Sequence, residues 1–387
     1  MLSDLAFALS CDGYRVRVVT SRQTYENPDA LLSARQSQEG VDIRRVWTTR
    51  FGRGNLVGRA SDYASFYLAA FWELVRNTQQ GDVIVAKTDP PLISVVAWLA
   101  TRIKRARLIN WLQDVFPEIA VALGVVTWRP LVGVTRWLRN ISLRGASMNI
   151  VLSQGMLECI TKQDVNLENI KVIHNWADGD QIHPISRKEN SLRQSWNLQD
   201  KFVVGYSGNM GRAHEFGTII GAMKQLKNDD RIVFLLIGGG AGRKLLENAV
   251  SEFGLSNCLF KPYQPRERLS ESLSVADVHL VSLRPEVEGL IVPSKVYGIA
   301  AAGRPLIYIG DANGEVGQLI SRFGLGFTVP KDYSDLLVRH ISELEKNSSM
   351  AIAMGEKSRN CYEQYFNQQR SIAEWKSTFK RLAVKKS

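Results

Sequence analysis

Short β-forming runs alternate with helical stretches along the chain, and this series occurs twice. In the first half the runs are YRVRVVTS, VDIRRVWTT, DVIVAK, RLINWLQD and MNIVLS. In the second half they are KFVVGYSG, RIVFLLIGGG, CLFKPY, VHLVSL and RPLIYIG. Apolar runs of this length with helices between them are typical of parallel sheets that helices cover on both faces. The chain is therefore predicted to be an α/β protein with two doubly wound, Rossmann-like domains.

A polar, turn-rich stretch, NWADGDQIHPISRKENSLRQSWNL, separates the two series and contains Pro184. Such a stretch is typical of a linker, so we expect an N-terminal domain over residues 1–182 and a C-terminal domain over residues 183–365. In residues 366–387, four apolar residues with helical spacing predict a helix that crosses back to the N-terminal domain: Phe366, Ile372, Trp375 and Phe379. The start, LSDLAFALSCDGYRVRVVTS, predicts helix, turn and strand, so the strand that normally opens such a unit is expected to be missing.

Composition narrows the class of protein. The 387 residues include 49 basic and 38 acidic ones, and the net charge of +11 favours an anionic partner. The four cysteines form no CxxC pair, which favours a reducing cytoplasm over disulfides or a zinc site. No apolar run is long enough to span a bilayer, and we expect no signal peptide. The histidines lack metal-ligand spacing and no HExxH, GxSxG or Walker sequence occurs, which argues against hydrolases and kinases.

Two stretches carry glycines or a lysine where a phosphate could bind. After KFVVGYSG, the glycines Gly208 and Gly211 would let backbone amides approach a ligand, and Arg212 would add a fixed cation. In EGLIVPSKVYGIAAAGRP, Lys295 is predicted to begin a helix that ends at Gly303. A cation there opposes the helix dipole unless it faces an anion. The alternatives are a plain glycine turn with a solvated arginine, and a solvated lysine.

A carboxylate follows a strand in the first half. In NWLQDVFPE, Asp114 lies just past the predicted strand, where it could orient a substrate hydroxyl or accept its proton. Ordinary capping is the alternative. Asp89, in AKTDPPL, is interpreted as mainly structural.

These segments together resemble the bacterial retaining glycosyltransferases of family 4, which have the GT-B architecture of two Rossmann-like domains facing a cleft. The resemblance is closest to the fucosaminyltransferase-like branch of surface polysaccharide sugar transferases. It covers residues 2 to 360 in the family's order, through VWTTRFGR, DVIVAKTDPPL, NWLQDVFPE, VIHNWAD, GYSGNMGRAHEF, PYQPRERL, VPSKVYGIAAAGRPLIYIG and NGEVGQLI.

The resemblance implies a reaction and its partners. A sugar, expected to be an N-acetylated hexosamine, moves with retention from a nucleotide diphosphate such as UDP to a lipid-linked or saccharide acceptor in O-antigen or capsule synthesis. The nucleotide-sugar is a substrate, and no cofactor or metal is expected because no DxD-type pair ends a strand. A GT-B nucleotide-sugar epimerase, and a truncated donor-binding chain with impaired turnover, stay open as alternatives. Nucleic acid is not expected, because the basic residues spread over both domains.

The resemblance also implies roles for particular residues. Arg212, Lys295 and Asp114 are the expected catalytic residues. The expected donor-binding residues are Gly208, Asn209, Gly211, Tyr263, Gln264, Glu288, Gly289, Ser294 and Glu315. Of these, Tyr263 and Gln264 match the segment that lies against the base. Where many relatives carry a ribose-binding glutamate this chain has Gly298, so Glu315 is predicted to make that contact.

One basic stretch, WRPLVGVTRWLRNISLRG, bears on localisation. Arg129, Arg136 and Arg144 share a helical stripe, and Trp128 and Trp137 could lie at a membrane interface. This pattern predicts a cytoplasmic protein that is peripheral on the inner face of the cell membrane. The alternative is an ordinary basic surface helix whose tryptophans pack inward.

Overall fold

The structure is a computed structural model that describes residues 1–23, 32–51 and 56–384. The strands of these residues are β1 Arg17–Ser21, β2 Arg35–Gln38, β3 Val41–Val46, β4 Val83–Lys87, β5 Arg107–Trp111, β6 Met148–Val151, β7 Ile170–Val172, β8 Phe202–Ser207, β9 Ile232–Ile237, β10 Cys258–Lys261, β11 Val278–Ser282, β12 Leu306–Ile309 and β13 Gly326–Val329.

The α-helices of the same residues are α1 Leu2–Cys11, α2 Leu56–Asn77, α3 Ile93–Lys104, α4 Glu118–Ala122, α5 Arg129–Gly145, α6 Gln154–Thr161, α7 Ser191–Ser195, α8 Gly217–Gln225, α9 Arg243–Phe253, α10 Leu269–Ser274, α11 Lys295–Ala301, α12 Glu315–Phe323, α13 Ser334–Lys346, α14 Ser348–Cys361 and α15 Gln368–Val384. Short 3₁₀ turns lie at Leu167–Asn169, Arg266–Arg268 and Pro285–Val287, and a π-helical turn at Tyr362–Phe366.

The C-terminal half is built on one parallel sheet with the strand order β10-β9-β8-β11-β12-β13. Every residue of β8 and β11, the two central strands, is buried. Helices must therefore cover both faces, which explains why these strands are continuous apolar runs rather than alternating ones. The predicted doubly wound α/β unit is confirmed here.

The N-terminal half contains two sheets. Strands β4-β5-β6-β7 form a parallel sheet, while β1 pairs in parallel with β3 and β2 pairs antiparallel to β3. In the described residues, β1 and β4 lie in separate sheets. The prediction that the strand which normally opens such a unit is missing stays a prediction. Three strands were not predicted: β2 is polar and exposed, β7 has three residues, and β13 has four residues and begins with a glycine.

The helix α15 packs on the N-terminal half although it follows the C-terminal one in sequence. The Trp375 side chain is fully buried, with its ring centroid 4.8 Å from that of Trp111 on β5. Lys376 forms an ion pair of 2.7 Å with Asp12, at the end of α1. The last described helix therefore completes the core of the first half.

The chain passes from one half to the other twice, once in the linker after β7 and once before α15, and these two segments lie side by side. The Tyr362 hydroxyl donates to the Ala177 carbonyl at 3.1 Å, and the Ala177 amide donates to the Phe366 carbonyl at 3.4 Å. Arg359 donates to the carbonyl oxygens of Ile182 and Ala301, at 3.1 Å and 2.7 Å. The predicted boundary at residues 182 and 183 falls in this region and stays a prediction.

The helix α5 has its tryptophans outside. Trp128 and Trp137 are 66% and 63% exposed, so the interpretation in which they pack inward is wrong. The helix is held instead by Arg139, whose buried guanidinium pairs with Glu118 at 2.9 Å, and Arg136 shares that carboxylate at 3.0 Å. Among the described residues, no helix is both long and apolar enough to cross a membrane.

Candidate functional site

The turns after β8 and β9 pack against each other through glycines. Gly208 and Gly238 have φ angles of +111° and +123°, and a Cβ on Gly238 would lie 2.3 Å from the Gly208 carbonyl oxygen. The Met210 amide donates to the Gly239 carbonyl at 2.7 Å. Only glycine fits such an approach. The result is a strip of backbone, buried at Gly238 and exposed at Gly240, at the carboxyl ends of the neighbouring strands β8 and β9, where ligands of parallel sheets bind.

Asn209, Gly211 and Arg212 lie on this strip. Asn209 and Arg212 are exposed, and the Arg212 guanidinium has neither a hydrogen bond nor an ion pair within the part of the chain that the structure describes. It is therefore available to an external anion. The next helix, α8, begins at Gly217 rather than at His214 or Glu215, because the Glu215 carboxylate accepts from the Thr218 amide at 3.1 Å.

Lys295, at the first position of α11, is the most unusual charged group of the site. Its Nζ is buried and has no hydrogen-bond partner among the described residues. Nζ lies 3.6 Å from the ring centroid of Tyr206 on β8, and a Cβ on Gly208 would lie 4.0 Å from the lysine Cε. Burial lowers the pKa of Lys295 well below its usual value. An ammonium in this position lacks the anion that would satisfy it.

His214 is a second buried group beside Lys295, and the sequence had not singled it out. Its Nδ1 lies 2.6 Å from the Ser282 carbonyl oxygen, which can only accept, so Nδ1 carries the proton and Nε2 is an acceptor. Burial and the charge of Lys295 lower the pKa of His214 to about 4. The imidazole is therefore neutral. No spacing pattern in the sequence distinguishes such a histidine from one at a turn.

Glu288, an expected donor-binding residue, makes hydrogen bonds inside the protein. Glu288 accepts from the Tyr308 hydroxyl at 2.7 Å and from the Glu315 amide at 3.1 Å, which secures the start of α12. Burial raises the pKa of Glu288. Gly289 has a φ of +72°, and a Cβ on Gly155 would lie 3.0 Å from the Gly289 Cα. This turn therefore contacts α6 of the N-terminal half.

Glu315 reaches toward the N-terminal half as well. Its Oε1 lies 3.8 Å from His174 Nδ1, but that nitrogen donates to the Leu152 carbonyl at 2.8 Å, so the carboxylate is only weakly paired. Burial raises the pKa of Glu315 to about 6, while the backbone N–H of Gln154 opposes the rise. The predicted ribose contact from this residue stays a prediction.

Tyr263 lies over the second glycine turn. Its ring atoms are 3.2 Å and 3.4 Å from where Cβ atoms on Gly238 and Gly239 would be, and the side chain is 53% exposed. One ring face is therefore open beside the backbone strip, as a base-stacking role requires. The Gln264 side chain donates to the Pro262 carbonyl at 3.0 Å. Ser294 is exposed and its hydroxyl does not cap α11.

Asp114 lies where the two halves touch. It forms an isolated bridge with Ile291, and the Val115 amide donates to the Leu290 carbonyl at 2.9 Å. Its Oδ1 is buried with no hydrogen-bond partner in the described residues. Burial, and then the charge of Asp89, raise its pKa to about 6. Asp114 therefore lies at the contact between the halves, and its bridge partner Ile291 is four positions before Lys295 in the chain.

Two further polar atoms of this region are unsatisfied within the described residues. Gln113 Oε1 accepts from Asn175 Nδ2 at 3.1 Å, while Gln113 Nε2 and Asn175 Oδ1 are buried without partners. Buried polar atoms without partners are rare, and a ligand is one reason for them. The sequence singled out Asp114 in this segment and missed its neighbour, because side-chain amides carry no distinctive spacing.

The site can therefore bind an anion in front of two glycine turns, with Lys295 and Arg212 as cations and Tyr263 at one side. No group of three or more His, Cys, Asp or Glu side chains that could hold a metal occurs in the described ranges. Independence from metal stays a prediction.

Family comparisons agree with this arrangement. Residues 1–176 match the family model described as a glycosyl transferase 4-like domain, and residues 188–361 match the one described as glycosyl transferases group 1. Each half of the chain thus carries a glycosyltransferase domain, and the protein is a glycosyltransferase.

Two relatives carry names of the same class. The chain is 28% identical over 293 residues to WbjE of Pseudomonas aeruginosa, a glycosyltransferase by name, covering 74% of this chain and 71% of the relative. It is 25% identical over 382 residues to WcaI of Escherichia coli K12, whose name refers to a colanic acid biosynthesis glycosyl transferase, covering 93% and 92%. The protein is accordingly related to glycosyltransferases of polysaccharide synthesis, and the epimerase alternative finds no support in these matches.

Solved structures share the fold. The sucrose-phosphate synthase of Thermosynechococcus elongatus superposes with a TM-score of 0.79 at 18% identity, covering 99% of this chain and 92% of that one. Anabaena Alr3699/HepE in complex with UDP and glucose gives a TM-score of 0.70 at 17% identity, covering 89% and 87%. The predicted GT-B architecture is confirmed.

Proposed function

We propose that this glycosyltransferase moves a sugar from a UDP-linked donor, with retention, to a lipid-linked or saccharide acceptor during surface polysaccharide synthesis. An N-acetylated hexosamine is the sugar we expect. The observation that carries the proposal is the buried, unpartnered ammonium of Lys295 beside the glycine turns. A diphosphate supplies the anion that this ammonium lacks, and the exposed backbone can approach its oxygens.

Comparison with relatives supports the choice of partners. The Alr3699/HepE structure contains UDP and glucose, and the name of WcaI refers to colanic acid biosynthesis. UDP is therefore the nucleotide to test first, and a polysaccharide intermediate is the acceptor to test first.

The residues divide the chemistry between them. The bond between the sugar C1 and the diphosphate oxygen breaks, so negative charge grows on the diphosphate, and Lys295 and Arg212 stabilise it. The acceptor oxygen forms the new bond on the face that the diphosphate leaves, which keeps the anomeric configuration. The Asp114 carboxylate accepts the proton of the acceptor hydroxyl, since its pKa of about 6 leaves it mostly ionised at neutral pH.

Binding of the donor tests this proposal. Isothermal titration of UDP and of a panel of nucleotide-sugars into the protein should give saturable binding, tightest for one UDP-sugar. Lys295→Met should weaken binding of UDP roughly 100-fold, because a buried charge pair is lost. Lys188→Met, which removes an exposed lysine of the linker, should bind as the wild type does.

The outcomes separate the parts of the proposal. If Lys295→Met binds UDP normally, the diphosphate is not held there and the site is wrong. If no UDP-sugar binds but another nucleotide-sugar does, the site stands and only the base is wrong. Retention is read from the anomeric proton coupling of the product by NMR, and inversion would overturn the mechanism.

A further inference from the structure

The outer surface of α2 is largely apolar, unlike that of an ordinary surface helix. Its exposed apolar residues recur at nearly every fourth position, Val57, Ala60, Ala64, Leu68 and Trp72, and its exposed charged residues are Arg59 and Arg76. Val57, Leu68 and Trp72 are 77%, 66% and 69% exposed. A surface helix normally turns its polar side to water. The apolar stripe of α2 is therefore suited to an environment that is less polar than water.

The apolar surface continues over two neighbouring helices. α3 packs beside α2, and α5 packs beside α3, so the three form one layer over the N-terminal half. On α3, Leu99 and Ile103 are 45% and 58% exposed, and on α5, Val134 and Trp137 are 55% and 63% exposed. We call this surface the helical face, defined by Leu68, Trp72, Leu99, Ile103, Val134 and Trp137. Exposed apolar patches of this kind mark interaction surfaces.

The charges of the same helices have one dominant sign. Their acidic residues are Asp62 and Glu73, and their basic ones are Arg59, Arg76, Arg102, Lys104, Arg129, Arg136, Arg139 and Arg144. Four of these arginines are exposed and make neither an ion pair nor a hydrogen bond in the described part of the chain: Arg59, Arg76, Arg102 and Arg129. The partner of the helical face must therefore combine an apolar layer with negative charge.

We propose that the helical face docks on the surface of an anionic lipid bilayer. Trp72 and Trp137 have the amphipathic rings that favour the boundary between headgroups and acyl chains, and the four arginines can reach lipid phosphates. A second copy of the chain is a poorer occupant. A two-fold contact through this face would place the unpaired arginines of both copies in one interface, without acids opposite them.

The helical face also reaches the cleft. α5 follows β5 in the chain and leads into β6, so its first residue, Arg129, lies toward the carboxyl edge of the sheet, the edge that carries Asp114. A bilayer against this face would present a lipid-held acceptor at the mouth of the cleft. This last step rests on the proposed function, whereas the docking itself does not.

Vesicle flotation with the full chain tests the docking. The protein should float with vesicles of phosphatidylcholine and phosphatidylglycerol and should float much less with phosphatidylcholine alone. Arg129→Glu should lower the bound fraction on the anionic vesicles roughly tenfold, because a reversal removes one attraction and adds a repulsion. The double change Trp72→Glu and Trp137→Glu should lower it at least as far.

A matched control comes from the C-terminal half. Leu245 and Ile352 are 52% and 63% exposed there, so Leu245→Glu with Ile352→Glu makes the same chemical change elsewhere and should leave flotation unaltered. Circular dichroism and UDP binding confirm that each variant is folded and its donor site intact.

Three results would overturn the proposal. The first is a wild type that does not float with anionic vesicles, and the second is a control pair that loses binding as the helical-face pair does. The third is a dimer in analytical ultracentrifugation that dissociates when Trp72→Glu and Trp137→Glu are introduced, which would assign the face to a second copy. If the wild type binds UDP but does not float with anionic vesicles, the docking proposal is wrong and the proposed function is unaffected.

Discussion

At the scale of single residues, Lys295 couples donor binding to stability. The wild type buries an ammonium whose only described partner is the ring of Tyr206, at 3.6 Å, and such an arrangement destabilises the free protein. The same lack of a partner makes the site receptive to a diphosphate. Function and stability therefore oppose each other at this position.

Lys295→Met tests this conflict. We expect the variant to lose donor binding and yet to raise the free energy of unfolding at pH 6 by about 1 kcal/mol or more, because methionine fills similar space without charge. The folded-state pKa of Lys295 is lowered. The wild type therefore gains stability as pH rises from that pKa toward the usual lysine value, since only the unfolded chain then holds the proton.

Urea denaturation of both proteins at pH 6 and pH 9 measures the effect. The advantage of the variant should shrink between the two pH values. A variant that is less stable than the wild type at both would show that the ammonium is better satisfied in the free protein than its contacts indicate.

At the scale of elements, the two glycine turns are a single unit. The turn after β9 can approach the turn after β8 only because Gly238 has no Cβ, which would lie 2.3 Å from the Gly208 carbonyl oxygen. Movement of one turn would displace the amides of the other. Donor binding should therefore depend on the contact between the turns.

Gly238→Ala tests that dependence. We expect the free energy of unfolding to fall by about 3 kcal/mol and UDP affinity to fall at least tenfold, because backbone must shift as well as adopt a strained φ. Gly124→Ala is the matched control, since Gly124 also has a positive φ, +67°, but a Cβ there meets nothing within 4 Å. Gly124→Ala should lower the free energy of unfolding by about 1 kcal/mol and leave UDP affinity unchanged. Equal losses of affinity in calorimetry would show that packing between the turns is unimportant.

At the scale of the whole molecule, α15 makes the first half depend on the end of the chain. Trp375 is fully buried against Trp111 of the N-terminal half, and the ring centroid of Trp111 lies 5.8 Å from that of Trp176, on which it stacks. The halves should therefore unfold together rather than as independent domains.

Trp375→Ala tests this coupling. We expect a loss of about 3–5 kcal/mol in the free energy of unfolding, the usual cost of deleting a large buried ring. Trp72→Ala, at a side chain that is 69% exposed, should change it by less than about 0.5 kcal/mol. Calorimetry should show one transition for the wild type. A wild-type protein with two separate transitions would contradict the coupling.

Local features of the site could be predicted from the sequence. Lys295 begins α11 as expected, the helix ends at Ala301, and Gly303 has a φ of +62°. The turn after β8 was expected from its glycines. Such features depend on turn chemistry and on the apolar run of one strand, which neighbouring residues decide.

Contacts between distant residues could not be predicted. The neutral state of His214 depends on the Ser282 carbonyl and on Lys295, 68 and 81 positions away. Donor binding by Glu288 stays a prediction, and the hydrogen bonds that its oxygens accept from Tyr308 and Glu315 are known only from the structure. No local pattern contains such partners.

The sequence by itself determined the class of fold, because runs buried on both faces must be apolar whatever their neighbours are. It also determined the glycine turns and the position of the lysine. Only the tertiary structure decided which polar atoms lack partners and which apolar side chains face outward. The physical reason is that burial and hydrogen bonding belong to the packed chain, in which residues far apart in sequence share one environment.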